Sequence, residues 1–189
     1  MTAGNPTPGA QAFLERAPTR GCRQPLVLDL GCGNGVFLSA LAVREPAWRV
    51  VGVEKKHYRV RQAMQRACGL SNVEVLHAGV EDFLEDLPRG SVAKAFLLFS
   101  DPWPKRRHAV RRLVQRGFVE LLSARIDRAG EFFFATDACS YAAQARALFS
   151  EGGWIVRDWV VSDDWPRTEF ESRFEAVGAP VWRFRAVLP

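Results

Sequence analysis

Two short segments concentrate the residues able to do chemistry. The first, Asp29-Leu30-Gly31-Cys32-Gly33-Asn34-Gly35, sets three glycines on alternate positions behind an acidic residue. Glycine leaves a tight turn free of side chains, so a ligand can come close to the backbone. Glu54 ends the β-branched run Arg49–Val53 and offers a carboxylate that can accept two charge-assisted hydrogen bonds from vicinal hydroxyls. Lys55 and Lys56 follow it, either as ion-pair partners or as a solvated helix start. The second segment is Ser100-Asp101-Pro102-Trp103-Pro104-Lys105-Arg106-Arg107-His108. Two prolines fix φ and remove two backbone donors, which makes a stiff loop that holds Asp101 and Trp103 in place. Arg111, Arg112 and Arg116 continue the positive charge. Forked guanidiniums suit bidentate phosphate contacts, and the run reads as a phosphate grip beside a fixed carboxylate.

These segments need elements to position them. From Pro25 onward, short apolar runs alternate with stretches of helical period. Leu26–Leu30, Arg49–Val53, Val73–Leu76, Val92–Phe99 and Glu131–Ala135 read as strands, with Trp154–Val161 and Val181–Leu188 as two late ones. Gly35–Glu45, His57–Cys68, Val80–Leu87, Leu113–Arg125 and Tyr141–Phe149 read as the helices between them. Strand–helix alternation predicts an α/β fold with a parallel sheet and helices on both faces. Ligands of such sheets bind beyond the carboxyl ends of the strands, where strand order reverses. The glycine segment, Glu54 and Asp101 all follow strands and so belong to that edge.

Composition sets the remaining bounds. The 189 residues are 48% hydrophobic, enough for a full core in one domain of ordinary size, expected over residues 21–189 behind a flexible tail at 1–20. Within that tail, Gln11–Arg16 has the pattern of one helical turn. Net charge is +5, which fits an anionic partner without demanding one. Cys22, Cys32, Cys68 and Cys139 form no C-x-x-C pair and read as reduced packing residues. No run is long and apolar enough to span a bilayer.

Asp29-x-Gly31-x-Gly33-x-Gly35 resembles the first motif of class I S-adenosylmethionine-dependent methyltransferases. A dinucleotide fingerprint would need glycine where Val36 stands. Asp101-Pro102-Trp103-Pro104-Lys105 with Arg106, Arg107 and His108 resembles the signature of the bacterial tRNA (guanine-N7)-methyltransferase family. Ala135-Thr136-Asp137 with Tyr141 and Trp165-Pro166-Arg167-Thr168-Glu169-Phe170-Glu171 are similar to two later segments of that family, and all four lie in family order.

This resemblance implies a Rossmann-like fold, a mostly parallel seven-stranded sheet with an antiparallel C-terminal strand. It implies S-adenosylmethionine bound by Asp29, Gly31, Gly33, Gly35, Glu54 and Asp101. Asp101 would also be the catalytic group, and Lys105, Arg106, Arg107, His108, Arg111, Arg112, Asp137 and Thr168 to Glu171 would contact the substrate. The expected partner is tRNA, modified in its variable loop. The protein is expected to be cytoplasmic, metal-free, and a monomer or homodimer.

Three departures stand out. Gly79 occupies the position of an acidic adenine contact, with Glu81 and Asp82 just beyond. Glu169 replaces a lysine, and Pro166 precedes Arg167 rather than following it.

Guanine N7 carries an in-plane lone pair and loses no proton on methylation, so the reaction needs alignment and charge stabilisation rather than a strong base. Other readings are a methyltransferase of exocyclic amines, given the similarity to a D-P-P-[YW] loop, and a non-catalytic RNA-binding homologue. A nicotinamide oxidoreductase fits least. Trp103 is suited equally to stacking on a base and to packing under its loop.

Overall fold

A computed structural model describes residues 24–189; the expected tail and its helical turn at Gln11–Arg16 lie outside them. Seven strands form one sheet: β1 (Leu26–Leu30), β2 (Arg49–Glu54), β3 (Val73–His77), β4 (Val92–Leu98), β5 (Ile126–Thr136), β6 (Ile155–Asp158) and β7 (Trp182–Val187). Their order is β3-β2-β1-β4-β5-β7-β6. β1 to β5 pair in parallel, while β7 runs antiparallel to both β5 and β6.

The helices are α1 (Val36–Arg44), α2 (His57–Ala67), α3 (Val80–Asp86), α4 (Arg116–Arg125), α5 (Cys139–Glu151) and α6 (Glu169–Ala176), with a 3-10 helix at Arg106–Arg111.

Side chains alternate across the strands and fill two cores. On one face Leu28, Leu30, Val51 and Val53 meet Phe83 of α3, Phe118 of α4 and Phe149 of α5. On the other, Val27, Val50 and Phe96 meet Phe37 and Leu41 of α1 and Ala63 of α2. Gly52 makes the second core possible, because a Cβ there would stand 2.6 Å from Leu38 and 2.8 Å from the Cys32 sulfur.

Strand order reverses between β1 and β4, which are hydrogen-bonded neighbours. The loops after these two strands, carrying the glycines and Asp101, therefore flank one crevice.

Several boundaries differ from expectation. Helix α4 starts at Arg116 rather than Leu113, because the Val114 N–H is drawn to the Tyr141 hydroxyl at 3.2 Å. The expected strand Trp154–Val161 stops at Asp158, and Trp159 turns onto the sheet against Phe133, ring centroids 5.0 Å apart. Residues 169–176, assigned to no element from the sequence, form helix α6.

Candidate active site

The glycine loop turns sharply at the end of β1. Gly31, Gly33 and Gly35 all have positive φ (78°, 57° and 80°), a region where other residues are strained. Gly35 has a second reason to lack a side chain: a Cβ would lie 2.7 Å from the Ala63 Cα, so the loop packs directly on α2. Gly31 has no such neighbour within 4 Å. Its surroundings are open.

Glu54, buried at the end of β2, accepts from the Gly33 N–H at 3.2 Å and from the Lys56 N–H at 2.8 Å. The backbone of Lys56, rather than its ammonium, holds this carboxylate. Among the described residues neither Lys55 nor Lys56 forms an ion pair with it.

Asp29 is 3% exposed and its Oδ2 has no hydrogen-bond partner. Burial, with the nearby Glu54 charge second, pushes its pKa up to about 7. An isolated buried carboxyl that resists ionisation is costly unless a cationic ligand group completes it. Cys32 lies in the same buried turn, and burial with the Asp29 and Glu54 charges pushes its thiol pKa up.

A cavity of about 460 Å³ opens at the reversal point, lined by Gly31, Glu54, Gly79, Glu81, Asp82, Asp101 and Trp103 among others. Gly31 and Asp101 therefore face one space. Gly79 caps α3 in an extended conformation, and a Cβ there would run into the Asp82 carboxylate. Glu81 and Asp82, both exposed, supply acidic groups on that wall.

A second cavity of about 450 Å³ lies across the glycine loop, lined by Asp29, Gly33, Asn34, Tyr58, Thr168, Glu169 and Phe170 among others. Gly31, Arg59 and Phe99 belong to both cavities.

The loop after β4 is braced from beneath. The buried Arg112 donates to the Pro102 carbonyl at 2.8 Å, the Gln144 Oε1 at 2.7 Å and the Ser140 Oγ at 3.0 Å, with its guanidinium 5.1 Å from the Tyr141 ring centroid. The Tyr141 hydroxyl lies 3.2 Å from the Ser100 Oγ. The expectation that Arg112 binds phosphate is corrected: its donors face carbonyl and side-chain oxygens inside the fold. Arg106, Arg107, Arg111 and Lys105 are exposed.

Trp103 has φ 43°, a strained value for a bulky residue. It packs edge-on with His108 at 5.9 Å and under the Arg111 guanidinium at 5.0 Å, yet still lines the first cavity. Asp101 is exposed at the rim. Asp137, exposed at the end of β5, lines neither cavity.

The Thr168–Glu171 segment divides between structure and rim. Thr168 accepts from the Glu171 N–H at 3.0 Å and Glu171 reaches back to the Thr168 N–H at 3.4 Å, a capping box that starts α6. Glu171 is 4% exposed and pairs with Arg183 at 2.6 Å. Both interactions give Glu171, expected to contact substrate, a structural part in holding α6 to β7. Phe170, 43% exposed, stands with its ring 6.4 Å from that of Phe99 and 26° from parallel. Glu169 accepts from the Asn34 side chain at 2.5 Å and pairs with Arg173, tying α6 to the glycine loop.

The sequence reading missed Asn34, Arg59 and Phe99. The T-x-x-E spacing of the capping box was the available signal for α6; nothing local marked Phe99 as shared by two cavities.

The family model Methyltransf_4, described as "Putative methyltransferase", matches residues 23–184. A tRNA (guanine-N(7)-)-methyltransferase of Sphingopyxis alaskensis is 33% identical over 180 residues, covering 87% of this chain and 76% of that protein. One from Nitrosococcus oceani is 36% identical over 164 residues, covering 84% and 70%. Among solved structures, the antibiotic-resistance methyltransferase Kmr superposes with TM-score 0.65 at 19% identity, covering 94% of this chain and 92% of that one. A precorrin-6y C5,15-methyltransferase from Geobacter metallireducens gives 0.64 at 14%, covering 95% and 86%. At those identities the structural likeness concerns the fold. With the glycine turn, Glu54 and the Asp101 loop gathered on one crevice, and relatives above 30% identity over most of both chains, the chain belongs to the tRNA (guanine-N7)-methyltransferase family.

Proposed function

We propose that this protein transfers a methyl group from S-adenosylmethionine to N7 of a guanine in tRNA, in the variable loop by family resemblance. The observation that carries the reading is that Gly31 and Asp101, seventy positions apart, line one cavity at the point where strand order reverses.

The residues present fit the cofactor. Asp29 offers a buried carboxylate oxygen without a partner, suited to an ammonium. Glu54 is held in the cavity wall by two backbone amides and keeps lone pairs for ribose hydroxyls. Gly31 leaves the approach to the backbone open, and Glu81 and Asp82 supply acceptors for the adenine amino group. When bound, S-adenosylmethionine supplies an electrophilic methyl group.

The chain's own residues handle position and charge. Guanine N7 attacks through its in-plane lone pair, so no residue removes a proton first. Positive charge develops on the base, and Asp101 as a carboxylate stabilises it while accepting from the N–H edge of guanine. Holding two reactants in line contributes roughly 7–11 kcal/mol at best. The braced Pro102–Pro104 loop supplies that rigidity on the substrate side. Lys105, Arg106, Arg107 and Arg111 extend outward from the same loop for tRNA phosphates, with His108 supporting Trp103. With tRNA as substrate, the reading puts the protein in the cytoplasm. Among the described residues no helix is long and apolar enough to cross a membrane, and no cluster of His, Cys, Asp or Glu could hold a metal.

The test is mass spectrometry of nucleosides from unmodified tRNA incubated with the protein and S-adenosylmethionine. The expected product is 7-methylguanosine. A methyl group on an exocyclic amine would transfer the assignment to that class, and cofactor binding without any methylated product would leave a non-catalytic RNA-binding protein.

A further inference from the structure

The structure assigns a second grip on the RNA backbone to the rim formed by Lys55, Lys56 and helix α2, across the cofactor cavity from the Lys105–Arg111 stretch. This assignment rests on the proposed tRNA substrate and says where else that polyanion is held.

The distribution of ion pairs points to it. Many cations elsewhere on the fold have carboxylate partners: Arg49 with Glu74, Lys94 with Glu131, Arg116 with Glu151, Arg146 with Asp158, Arg183 with Glu171. Lys55, Lys56, Arg59, Arg61 and Arg66 have none among the described residues. Helix α2 contains no acidic residue. Arg112 and Arg125 donate instead to carbonyl, amide and hydroxyl oxygens of the fold, and Arg89, Arg128 and Arg157 are single exposed residues outside the cavity walls.

Stability does not account for this charge. Cations at the start of a helix oppose its dipole. Lys56 caps α2, and Arg59 lies in its first turn. The Glu54 carboxylate accepts from the Lys56 N–H at this end but pairs with neither side-chain charge, which leaves both open to a further anion.

Position completes the case. Lys55, Lys56 and Arg59 line the first cavity, while Tyr58, Arg59 and Arg66 line the second. Arg111 and Trp103 stand in the first cavity's wall with them. Tyr58 is 53% exposed, and Arg59 donates to its hydroxyl at 3.1 Å, giving an ordered aromatic face among cations that have no carboxylate partner. Phosphates gripped by arginine and lysine beside a ring on which a base can stack is the chemistry of single-stranded or looped RNA. A loop seated over the cavity would be held on both sides.

The test measures binding of unmodified tRNA to the full-length protein, without cofactor, across a salt series. Three paired variants are compared with the wild type: Lys55→Gln with Lys56→Gln, Arg59→Gln with Arg66→Gln, and Arg89→Gln with Arg128→Gln. The expected result is weaker binding and a salt slope shallower by about one unit per lost phosphate contact for the first two pairs, with no change for the third. Slopes equal to wild type for both α2-side pairs, in a wild type that methylates tRNA, would overturn the second grip alone. An equal loss in the Arg89/Arg128 pair would also overturn it, by showing a general charge effect. A wild type that neither binds nor methylates tRNA would remove the functional reading and this assignment together.

Discussion

Arg112 donates its Nε–H to the carbonyl of Pro102 at 2.8 Å, reaching ten residues back to hold the loop that carries Asp101. The same guanidinium bonds Gln144 and Ser140 of α5, so one side chain joins the substrate-side loop to the helix beneath it. An arginine that sits within a basic run thus works as a brace.

Replacing it separates bracing from phosphate binding. Arg112→Met should cost about 3 kcal/mol, since a buried charged hydrogen-bond donor is removed and its acceptors are left unpaired. Urea denaturation measures this. Turnover should fall as the loop loosens, while the salt slope of tRNA binding stays put. Arg106→Gln with Arg107→Gln should behave in the opposite way, flattening the slope without altering the denaturation midpoint. A changed slope in Arg112→Met at unchanged stability would return it to the phosphate-binding set.

Asp29 links the cofactor site to pH. Its native pKa of about 7 lies above the value of 3.8 expected without burial. The folded state therefore keeps a proton that the unfolded state releases. Stability from this group is fully present below pH 3.8 and is lost as pH rises towards 7. The loss is on the order of 4 kcal/mol, from about 1.4 kcal/mol per unit. Asp29→Asn should raise the melting temperature of the free protein most at pH 8, by less than half as much at pH 5, and hardly at all below pH 3.8. The same variant should bind S-adenosylmethionine poorly. Melting curves across this pH range, with calorimetric titration of the cofactor, check both halves.

Asp101 is placed to act on the base. Asp101→Asn should lower kcat by roughly 100-fold, the scale of losing one electrostatic contact to the transition state, with a much smaller change in cofactor affinity. Single-turnover assays at saturating tRNA read this directly, and a variant with wild-type turnover would dismiss the assignment.

Adjacent positions on α6 should split cleanly. Glu171→Ala removes the buried partner of Arg183 and half of the capping box, and should destabilise the fold by about 3–5 kcal/mol. Phe170→Ala removes a ring that is 43% exposed beside the second cavity. It should leave thermal stability nearly intact while raising the KM for tRNA. Comparing denaturation midpoints with steady-state kinetics for the pair tests the division.

Local chemistry along the chain was sufficient for much of this. The glycine spacing, the acidic residue ending β2 and the proline-stiffened Asp101 loop are constraints on a few consecutive residues, and alternating apolar runs determine that strands and helices follow one another. Parallel crossovers then bring those loops to one edge. Three-dimensional packing decided which charges are free. Arg112 and Arg111 are neighbours in sequence, yet one is buried against α5 and the other lies over Trp103 at the surface, because the 3-10 helix ends at Arg111 and the backbone becomes extended at Arg112. Glu171 and Glu169 diverge for a similar reason: the start of α6 aims one at Arg183 on β7 and the other at Asn34 across the crevice. Such partners lie twelve and more than a hundred residues away, and charge at that separation acquires meaning only when the chain has folded.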